Sequence, residues 1–194
     1  MIHPDTELKL INREIGYGIF AKEIIREGTI VWVQDKLDRV ITESEISNLG
    51  DIYIEYLDKY SFRNNKGEYI LCWDNEKFKN HSFKNNCILT AYNFEIAIRD
   101  IYPGEELTDD YGYLNITEPF EPFGEGTERK IVYPDDLLNY YKDWDESIAK
   151  SFEKIIKVKQ ELRKFLSNEL WQKLTDIKNG KKDIDSIKTC YYRI

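Results

Sequence analysis

The residue pattern of the chain changes shortly after Gly112, and this change limits the folds that the chain can adopt. Before it, short runs of β-branched and aromatic residues alternate with turn-forming residues, which is typical of small β-strands. After Pro134, apolar residues recur at spacings of three, four or seven, which predicts helix. The sequence therefore predicts a mainly β body of small, irregular sheets with a C-terminal helical appendage.

Individual elements follow from the same patterns. The predicted strands are 7–11, 30–33, 69–73, 88–94 and 96–99. Thr42 to Glu45 has the pattern of a capped start of a short helix. The stretch 115–129, with two prolines, two glycines and no clean period, predicts an ordered loop. The helical pattern from Pro134 predicts one long helix that Asn179 and Gly180 bring to an end.

The composition sets the number of domains. With 194 residues, of which 41% are hydrophobic, the chain can bury one core and a small satellite but hardly two full domains. We expect a body over 1–114, a loop over 115–133 and a helical extension over 134–194. The apolar stripe of the extension predicts packing against the body or, as the alternative, a homodimer through these helices.

The charge balance limits the partners. The net charge of −8 disfavours non-specific binding to nucleic acid or to an anionic membrane, and it suits a basic partner. No apolar run reaches the roughly 18 residues that a membrane span needs, and the first residues lack a secretory pattern, so we expect an intracellular protein. The three widely spaced cysteines predict neither a disulfide framework nor a close-spaced zinc knot.

Three separated segments carry candidate chemistry. Gly16-Tyr17-Gly18 lets the backbone approach a ligand closely, although alone it is also typical of a hairpin turn. It lacks the further residues of a dinucleotide fingerprint or a P-loop. The second segment, Asn80 to Cys87, reads NHSFKNNC, and an Asn amide can recognise both the ammonium and the carboxylate of an amino acid. The third, Gly104 to Gly112, reads GEELTDDYG.

Together and in this order, the three segments resemble the SET-domain family of protein-lysine methyltransferases. In that family, a Gly-x-Gly segment, an Asn-His-Ser-x-x-x-Asn-Cys segment and a Gly-Glu-Glu-Leu-Thr-x-Asp-Tyr-Gly segment recur in the same order. The resemblance covers roughly residues 6 to 145. It implies a fold of small β-sheets in which the Asn80 segment threads beneath a loop made by the Tyr111 segment, a pseudoknot that departs from the usual unthreaded topology.

The resemblance also implies the function and the roles of individual residues. The chain would transfer methyl groups from S-adenosyl-L-methionine to the ε-amine of a lysine in a basic protein substrate, leaving S-adenosyl-L-homocysteine. Tyr111 would be the catalytic tyrosine, and Leu89 and Tyr113 would line the channel for the lysine. The predicted cofactor-binding residues are Gly16, Tyr17, Gly18, Asn80, His81, Tyr111, Phe120 and Phe123.

The chain departs from the family pattern at two places. Many relatives follow the catalytic tyrosine with cysteines that bind zinc together with the cysteine of the Asn-His-Ser segment. Here residues 118–129 hold no cysteine, which predicts no structural zinc and an unliganded Cys87. The loop over 115–133, which would form the lid of the site, must then be held in another way. At a channel position often taken by an aromatic residue, the smaller Leu89 predicts room for di- or trimethylation.

Two other functions compete with this one. A non-catalytic SET module would keep the fold and bind the cofactor or a protein partner. A hydrolase using Ser82 and His81 is disfavoured because adjacent residues on an extended segment point to opposite faces.

Overall fold

The computed structural model describes residues 1–193, which form a mixed β structure with helices. This confirms the predicted fold class. The strands are β1 (Thr6–Asn12), β2 (Gly16–Ala21), β3 (Ile30–Val33), β4 (Arg39–Ile41), β5 (Ser61–Arg63), β6 (Tyr69–Leu71), β7 (Asn80–His81), β8 (Cys87–Leu89), β9 (Phe94–Ala97) and β10 (Glu106–Asp109). The helices are α1 (Glu43–Ile46), α2 (Asp51–Tyr60), α3 (Asp136–Phe152) and α4 (Asn168–Lys178).

The strands form three small sheets, and one of them brings distant segments together. Its order is β1-β2-β10-β7, while the other two sheets have the orders β3-β9-β8 and β4-β6-β5. Strand β10 is antiparallel to β2 and parallel to β7, where Thr108 lies opposite Asn80 and Asp109 opposite His81. The glycine-containing segment and the Asn80 segment therefore flank the strand that leads to Tyr111. The threading of a pseudoknot stays a prediction.

Several strand boundaries differ from the predictions. The predicted strand 30–33 is correct, 7–11 lies within β1, and β6 ends two residues early. The predicted strands 88–94 and 96–99 are wrong in extent, because the chain turns between β8 and β9. Thr90 closes this turn through two hydrogen bonds to Phe94 O, and Asn93 adopts a left-handed backbone conformation. Gly16 to Gly18, which alone is typical of a turn, lies in β2.

The sequence predicts helix α1 but gives no sign of helix α2. Helix α1 has the predicted capping box between Thr42 and Glu45. Helix α2 was not predicted, because half of its apolar and aromatic side chains are exposed and Leu57 is the one residue of the helix that is buried. Without a buried stripe, the helix has no clear sequence signature.

The prediction of one long C-terminal helix is wrong. Helix α3 ends at Phe152, and the chain runs irregularly to α4. In this gap, the Gln160 side chain accepts a hydrogen bond from Ile30 N and donates one to Gly28 O, so it satisfies the backbone at the start of β3. Ser167 then caps α4 by accepting a hydrogen bond from Leu170 N. The predicted end of the helix at Asn179 is correct.

The helical extension and the β body share one core. The main buried cluster contains Trp32 and Phe94 from the sheets together with Leu137, Phe152 and Leu174 from the helices. The apolar stripe is therefore covered within a single chain, each such side chain contributing roughly 1.5–3 kcal/mol. The homodimer alternative and the three domain boundaries stay predictions. In residues 1–193, no helix is both long and apolar enough to cross a membrane.

Candidate active site

A cavity of about 620 Å³ lies where the three motif segments meet. Its volume falls within the range of small-molecule sites. Five of the predicted site residues line it, namely Gly16, Tyr17, Asn80, Tyr111 and Phe120. The structure thus brings together residues that are separated by more than a hundred positions in the chain.

Close packing between β2 and the Asn80 side chain forms one wall of this cavity. Asn80 Nδ2 donates hydrogen bonds to Tyr17 O at 3.0 Å and to Glu106 Oε1 at 2.7 Å. Because both hydrogen bonds use the amide nitrogen, the amide oxygen is left for a ligand donor. Gly18 lies directly behind this contact, where a Cβ atom would overlap Glu106 Oε1 and approach Asn80 Nδ2 to 3.0 Å. A glycine is needed here for close approach rather than for its backbone angles.

The Gly18→Ala variant should therefore be less stable than the wild type by about 1–3 kcal/mol, since the added methyl group overpacks this wall. Urea unfolding measures the difference. The matched control is Gly124→Ala, because a Cβ atom at Gly124 meets no atom within 4 Å. Equal stability of the two variants would contradict the tight packing at Gly18.

Tyr111 is held at the cavity by two hydrogen bonds from different parts of the residue. Its hydroxyl donates to Lys79 O at 2.8 Å, and its backbone N–H donates to His81 Nδ1 at 3.1 Å. Burial raises the pKa of Tyr111 above its ordinary value, so the phenol stays protonated at neutral pH. Asp110 accepts a hydrogen bond from Gly112 N and thereby fixes the turn that carries Tyr111.

His81 supports Tyr111 from behind and is absent from the residues that line the cavity. Burial, together with the positive charge of Arg129, lowers the pKa of His81 to about 4, so the ring is neutral at pH 7. Since Nδ1 accepts from Tyr111, the proton is on Nε2, which is buried and has no hydrogen-bond partner within residues 1–193. The ring packs edge-on against Tyr111 and Phe120.

The remaining predicted residues lie elsewhere. Phe123 is 59% exposed and does not line the cavity. Leu89 and Tyr113 belong to the main core, where the Tyr113 hydroxyl contacts Cys87 O at 3.1 Å and Asp109 Oδ1 at 3.0 Å. The structure therefore places none of these three side chains in the cavity wall. Leu89 and Tyr113 pack in the core instead, and Phe123 faces solvent.

A buried charge cluster lines the cavity and was missed in the sequence. Lys79 Nζ pairs with Glu76 Oε1 at 2.5 Å, with Asp109 Oδ2 at 3.5 Å and with Glu95. All four residues are buried and line the cavity. Three carboxylates this close together resemble a site for a hard divalent cation, but the Lys79 ammonium already lies among them and supplies the positive charge. In a chain with 33% charged residues, these four have no distinguishing sequence signal.

The cluster should make the protein less stable as the pH rises towards 8. Burial raises the pKa of Glu76, Glu95 and Asp109 to about 7 each, from ordinary values of 4.5, 4.5 and 3.8. Above the ordinary values the unfolded chain has released these protons, while the native state holds them until about pH 7. The native state therefore binds more protons in this interval, and the free energy of unfolding falls as the pH rises.

Urea unfolding of the wild type and of Glu76→Gln at about pH 6 and about pH 8 tests this prediction. The comparison with the variant is needed because the lowered pKa values of His3 and His81 give the opposite slope. The loss of stability between the two pH values should be smaller in Glu76→Gln. An equal loss in both proteins would contradict the raised pKa of Glu76.

The loop after Tyr111 is held over the site by Arg129. The Arg129 guanidinium pairs with Asp110 and, at 2.5 Å, with Asp136 of α3, and it lies 4.5 Å from the ring centroids of Phe83 and Tyr140. A backbone bridge between Phe120 and Val132 closes the loop. The sequence predicted that the lid is held without zinc, but it did not single out Arg129.

Lys77 is a further residue that the sequence did not single out. It lines the cavity on the turn just before Asn80, and its ammonium can meet a ligand carboxylate. Cys87, by contrast, is fully buried in the second core cluster, and burial raises the pKa of its thiol well above the ordinary value. The absence of structural zinc stays a prediction.

Comparison with known proteins identifies the family. No curated protein matches the chain. The family model for the SET domain matches residues 16–112, which is half of the chain and spans Gly16, Asn80 and Tyr111. This match agrees with the convergence of the three segments on one cavity, and we conclude that the chain belongs to the SET-domain family.

Proposed function

We propose that the protein transfers methyl groups from S-adenosyl-L-methionine to the ε-amine of a lysine in another protein. SET domains are generally protein-lysine methyltransferases, and the chain belongs to this family. The observation that carries the proposal is the single cavity in which the Gly16, Asn80 and Tyr111 segments converge. The competing hydrolase has no such support, because His81 uses its Nδ1 to hold Tyr111.

The residues around the cavity fit this cofactor. The backbone of Gly16 and Tyr17 and the amide of Asn80 would hold the amino-acid part, with Lys77 near its carboxylate. The Phe120 ring, whose centroid lies 5.7 Å from that of Tyr111, would cover the adenine. When bound, the cofactor supplies an electrophilic methyl group on a sulfonium centre.

The chain's own part in the reaction is alignment and the exclusion of water. Methyl transfer is an in-line displacement, so the acceptor nitrogen must be held in line with the methyl group. The Tyr111 hydroxyl oxygen would orient the polarised C–H groups, as oxygen acceptors do, and need not act as a base. Free lysine has a pKa of about 10.4, so the acceptor must lose a proton before it can attack.

The charge of the chain favours a basic substrate segment. The net charge of −8 attracts such a segment by electrostatic steering. The proposed partner is therefore a lysine-containing basic protein.

The experiment is a calorimetric titration with S-adenosyl-L-methionine, followed by incubation with labelled cofactor and a panel of basic proteins. We expect binding and transfer of label to lysine. Because Leu89 lies in the main core and not in the cavity wall, the number of methyl groups added is read from mass spectrometry without an expectation from Leu89. Absence of both binding and transfer would overturn the proposed function.

The second candidate, a non-catalytic SET module, is favoured by one observation. The Lys79 ammonium and its three carboxylate partners occupy part of the cavity wall near Tyr111. Because the protein's own Lys79 already places an ammonium in this wall, a substrate lysine would meet a like charge there, which suits a protein that binds the cofactor without transferring its methyl group. Binding of cofactor without transfer to any protein in the panel would support this candidate.

A further inference from the structure

Arg63 is a positively charged residue of the cavity wall that has no negatively charged partner within residues 1–193. It lies in β5 and lines the same cavity as Tyr111. Its Nε and Nη1 atoms are buried and have no hydrogen-bond partner. The third nitrogen, Nη2, is neither hydrogen-bonded within this range nor buried, so a ligand in the cavity can reach it. Since unpaired buried donors cost free energy, this guanidinium requires an explanation.

Two aromatic rings hold the guanidinium in place. Its Cζ atom lies 4.9 Å from the ring centroid of Tyr69 and 5.8 Å from that of Tyr192. Tyr69 is buried, and its hydroxyl donates a hydrogen bond to Asp58. The Tyr192 ring packs on Gly67, where a Cβ atom would come within 2.5 Å of the ring. The guanidinium is therefore positioned before a ligand binds, which lowers the entropic cost of binding.

The backbone of Arg63 is connected to the segment that follows Tyr111. The Arg63 N–H donates to Leu114 O at 3.2 Å, and Arg63 O accepts from Asn115 Nδ2 at 2.9 Å. Asn115 Oδ1 also accepts from Tyr192 N at 3.0 Å, so the same amide connects Arg63 to one of its two aromatic neighbours. Because Leu114 follows Tyr111 by only three positions, these hydrogen bonds fix Arg63 relative to Tyr111 in the wall of one cavity.

We propose that Arg63 binds a carboxylate of the protein substrate, supplied by an aspartate or glutamate close to the target lysine. This inference rests on the proposed function. The planar guanidinium matches a carboxylate in charge and geometry and forms charge-assisted hydrogen bonds with it. Because an extended chain advances by about 3.4 Å per residue, the acidic residue would lie within about three positions of the lysine. The preferred segment is then basic overall, with one acidic residue near the lysine.

The carboxylates nearest to Arg63 in the sequence are bound elsewhere. Asp58 accepts the hydrogen bond from the Tyr69 hydroxyl, and Glu68 Oε2 accepts one from Asn64 Nδ2 at 2.7 Å. Neither of them forms an ion pair with Arg63. A carboxylate from the substrate therefore does not have to displace a partner that the protein itself supplies.

The other cations at the cavity are less suited to this carboxylate. Three carboxylates already surround the Lys79 ammonium. Lys77 lies on the turn just before Asn80, where it is the proposed partner of the cofactor carboxylate. Lys59 is exposed on α2, where solvent and salt screen its charge. Arg63 is therefore the cation of the cavity wall that is best placed for a substrate carboxylate.

The test uses synthetic peptides with one lysine in a basic segment, in which each of the three positions on either side of the lysine is in turn glutamate or glutamine. For the wild type, kcat/KM of methyl transfer should be about 10-fold higher with glutamate than with glutamine at one of these positions. In Arg63→Gln the preference should disappear. In Arg63→Glu it should reverse, because the two carboxylates repel each other. A purely structural role of Arg63 would lower transfer to all peptides alike.

Two further variants serve as controls. Arg63→Lys keeps the positive charge without the planar group and should keep part of the preference for glutamate. Arg39→Gln removes a guanidinium that is 66% exposed and does not line the cavity, so it should leave the preference unchanged. Loss of the preference in Arg39→Gln would overturn the assignment to Arg63.

The cofactor also carries a carboxylate, and calorimetric titration with S-adenosyl-L-methionine separates the two sources. The affinity for the cofactor should be similar in the wild type and in Arg63→Gln. A loss of about 10-fold in cofactor affinity, together with no preference for glutamate in the peptides, would assign Arg63 to the cofactor carboxylate and overturn the inference.

Peptide binding gives a readout other than activity. Calorimetric titration of the glutamate and glutamine peptides in the presence of S-adenosyl-L-homocysteine should show the same preference in the wild type and its loss in Arg63→Gln. Transfer without any preference for glutamate, or a preference that survives in Arg63→Gln, would overturn the inference and leave the proposed function standing. Absence of cofactor binding, of peptide binding and of transfer in the wild type would overturn both.

Discussion

Replacing Tyr111 with phenylalanine should lower the rate of methyl transfer by about 100-fold or more, which is the scale seen when one positioned polar group is removed from an active site. The variant loses the hydroxyl that would orient the methyl group, and with it the hydrogen bond to Lys79 O at 2.8 Å. It keeps the backbone hydrogen bond to His81, so the turn should stay in place. Single-turnover transfer of labelled methyl groups measures the rate.

Cofactor affinity separates a catalytic role of Tyr111 from a structural one. Calorimetric titration should give similar affinities for the wild type and for Tyr111→Phe, because most of the proposed cofactor contacts come from Gly16, Asn80 and Phe120. The matched control is Tyr53→Phe, which removes the same hydroxyl from a side chain that is 61% exposed on α2. Equal activity of the two variants would exclude a catalytic role for the Tyr111 hydroxyl.

The sequence was enough to predict that the Gly16, Asn80 and Tyr111 segments belong to one site. Each segment alone is compatible with an ordinary turn, and their order along the chain made the resemblance specific. The structure adds the physical cause of the convergence, which is the position of β10 between β2 and β7. Strand order is set by pairing between distant segments, so local patterns could not reveal it.

The charged residues around the site could not be found from the order of the three segments. Lys79, Glu76 and Arg129 look like surface residues in the sequence, and only the tertiary fold places their partners around them. The break between α3 and α4 has a similar origin, because it depends on Gln160 reaching the backbone beside β3, 130 residues earlier in the chain. The apolar spacing continues through the break and gave no sign of it.

Replacing Arg129 with methionine should destabilise the protein by about 3–5 kcal/mol, the cost expected when one partner of a buried ion pair is removed. Asp110 and Asp136 are each only 2% exposed, and both pair with the Arg129 guanidinium. In the variant, both carboxylates would lose this partner inside the protein. Methionine keeps an apolar contact with Phe83 and Tyr140, so the effect reports mainly the lost charge.

Urea unfolding measures this effect, and Arg39→Met is the matched control. Arg39 is 66% exposed and lies 3.8 Å from Glu45, so its loss should cost less than about 1 kcal/mol. Adding Asp110→Asn and Asp136→Asn to Arg129→Met should recover part of the stability, because the unpaired charges are then removed. If Arg129→Met were no less stable than Arg39→Met, Arg129 would not be the group that holds the loop over the site. Because Asp110 directly precedes Tyr111, we also expect the single variant to lose methyl transfer, whereas Arg39→Met should retain it.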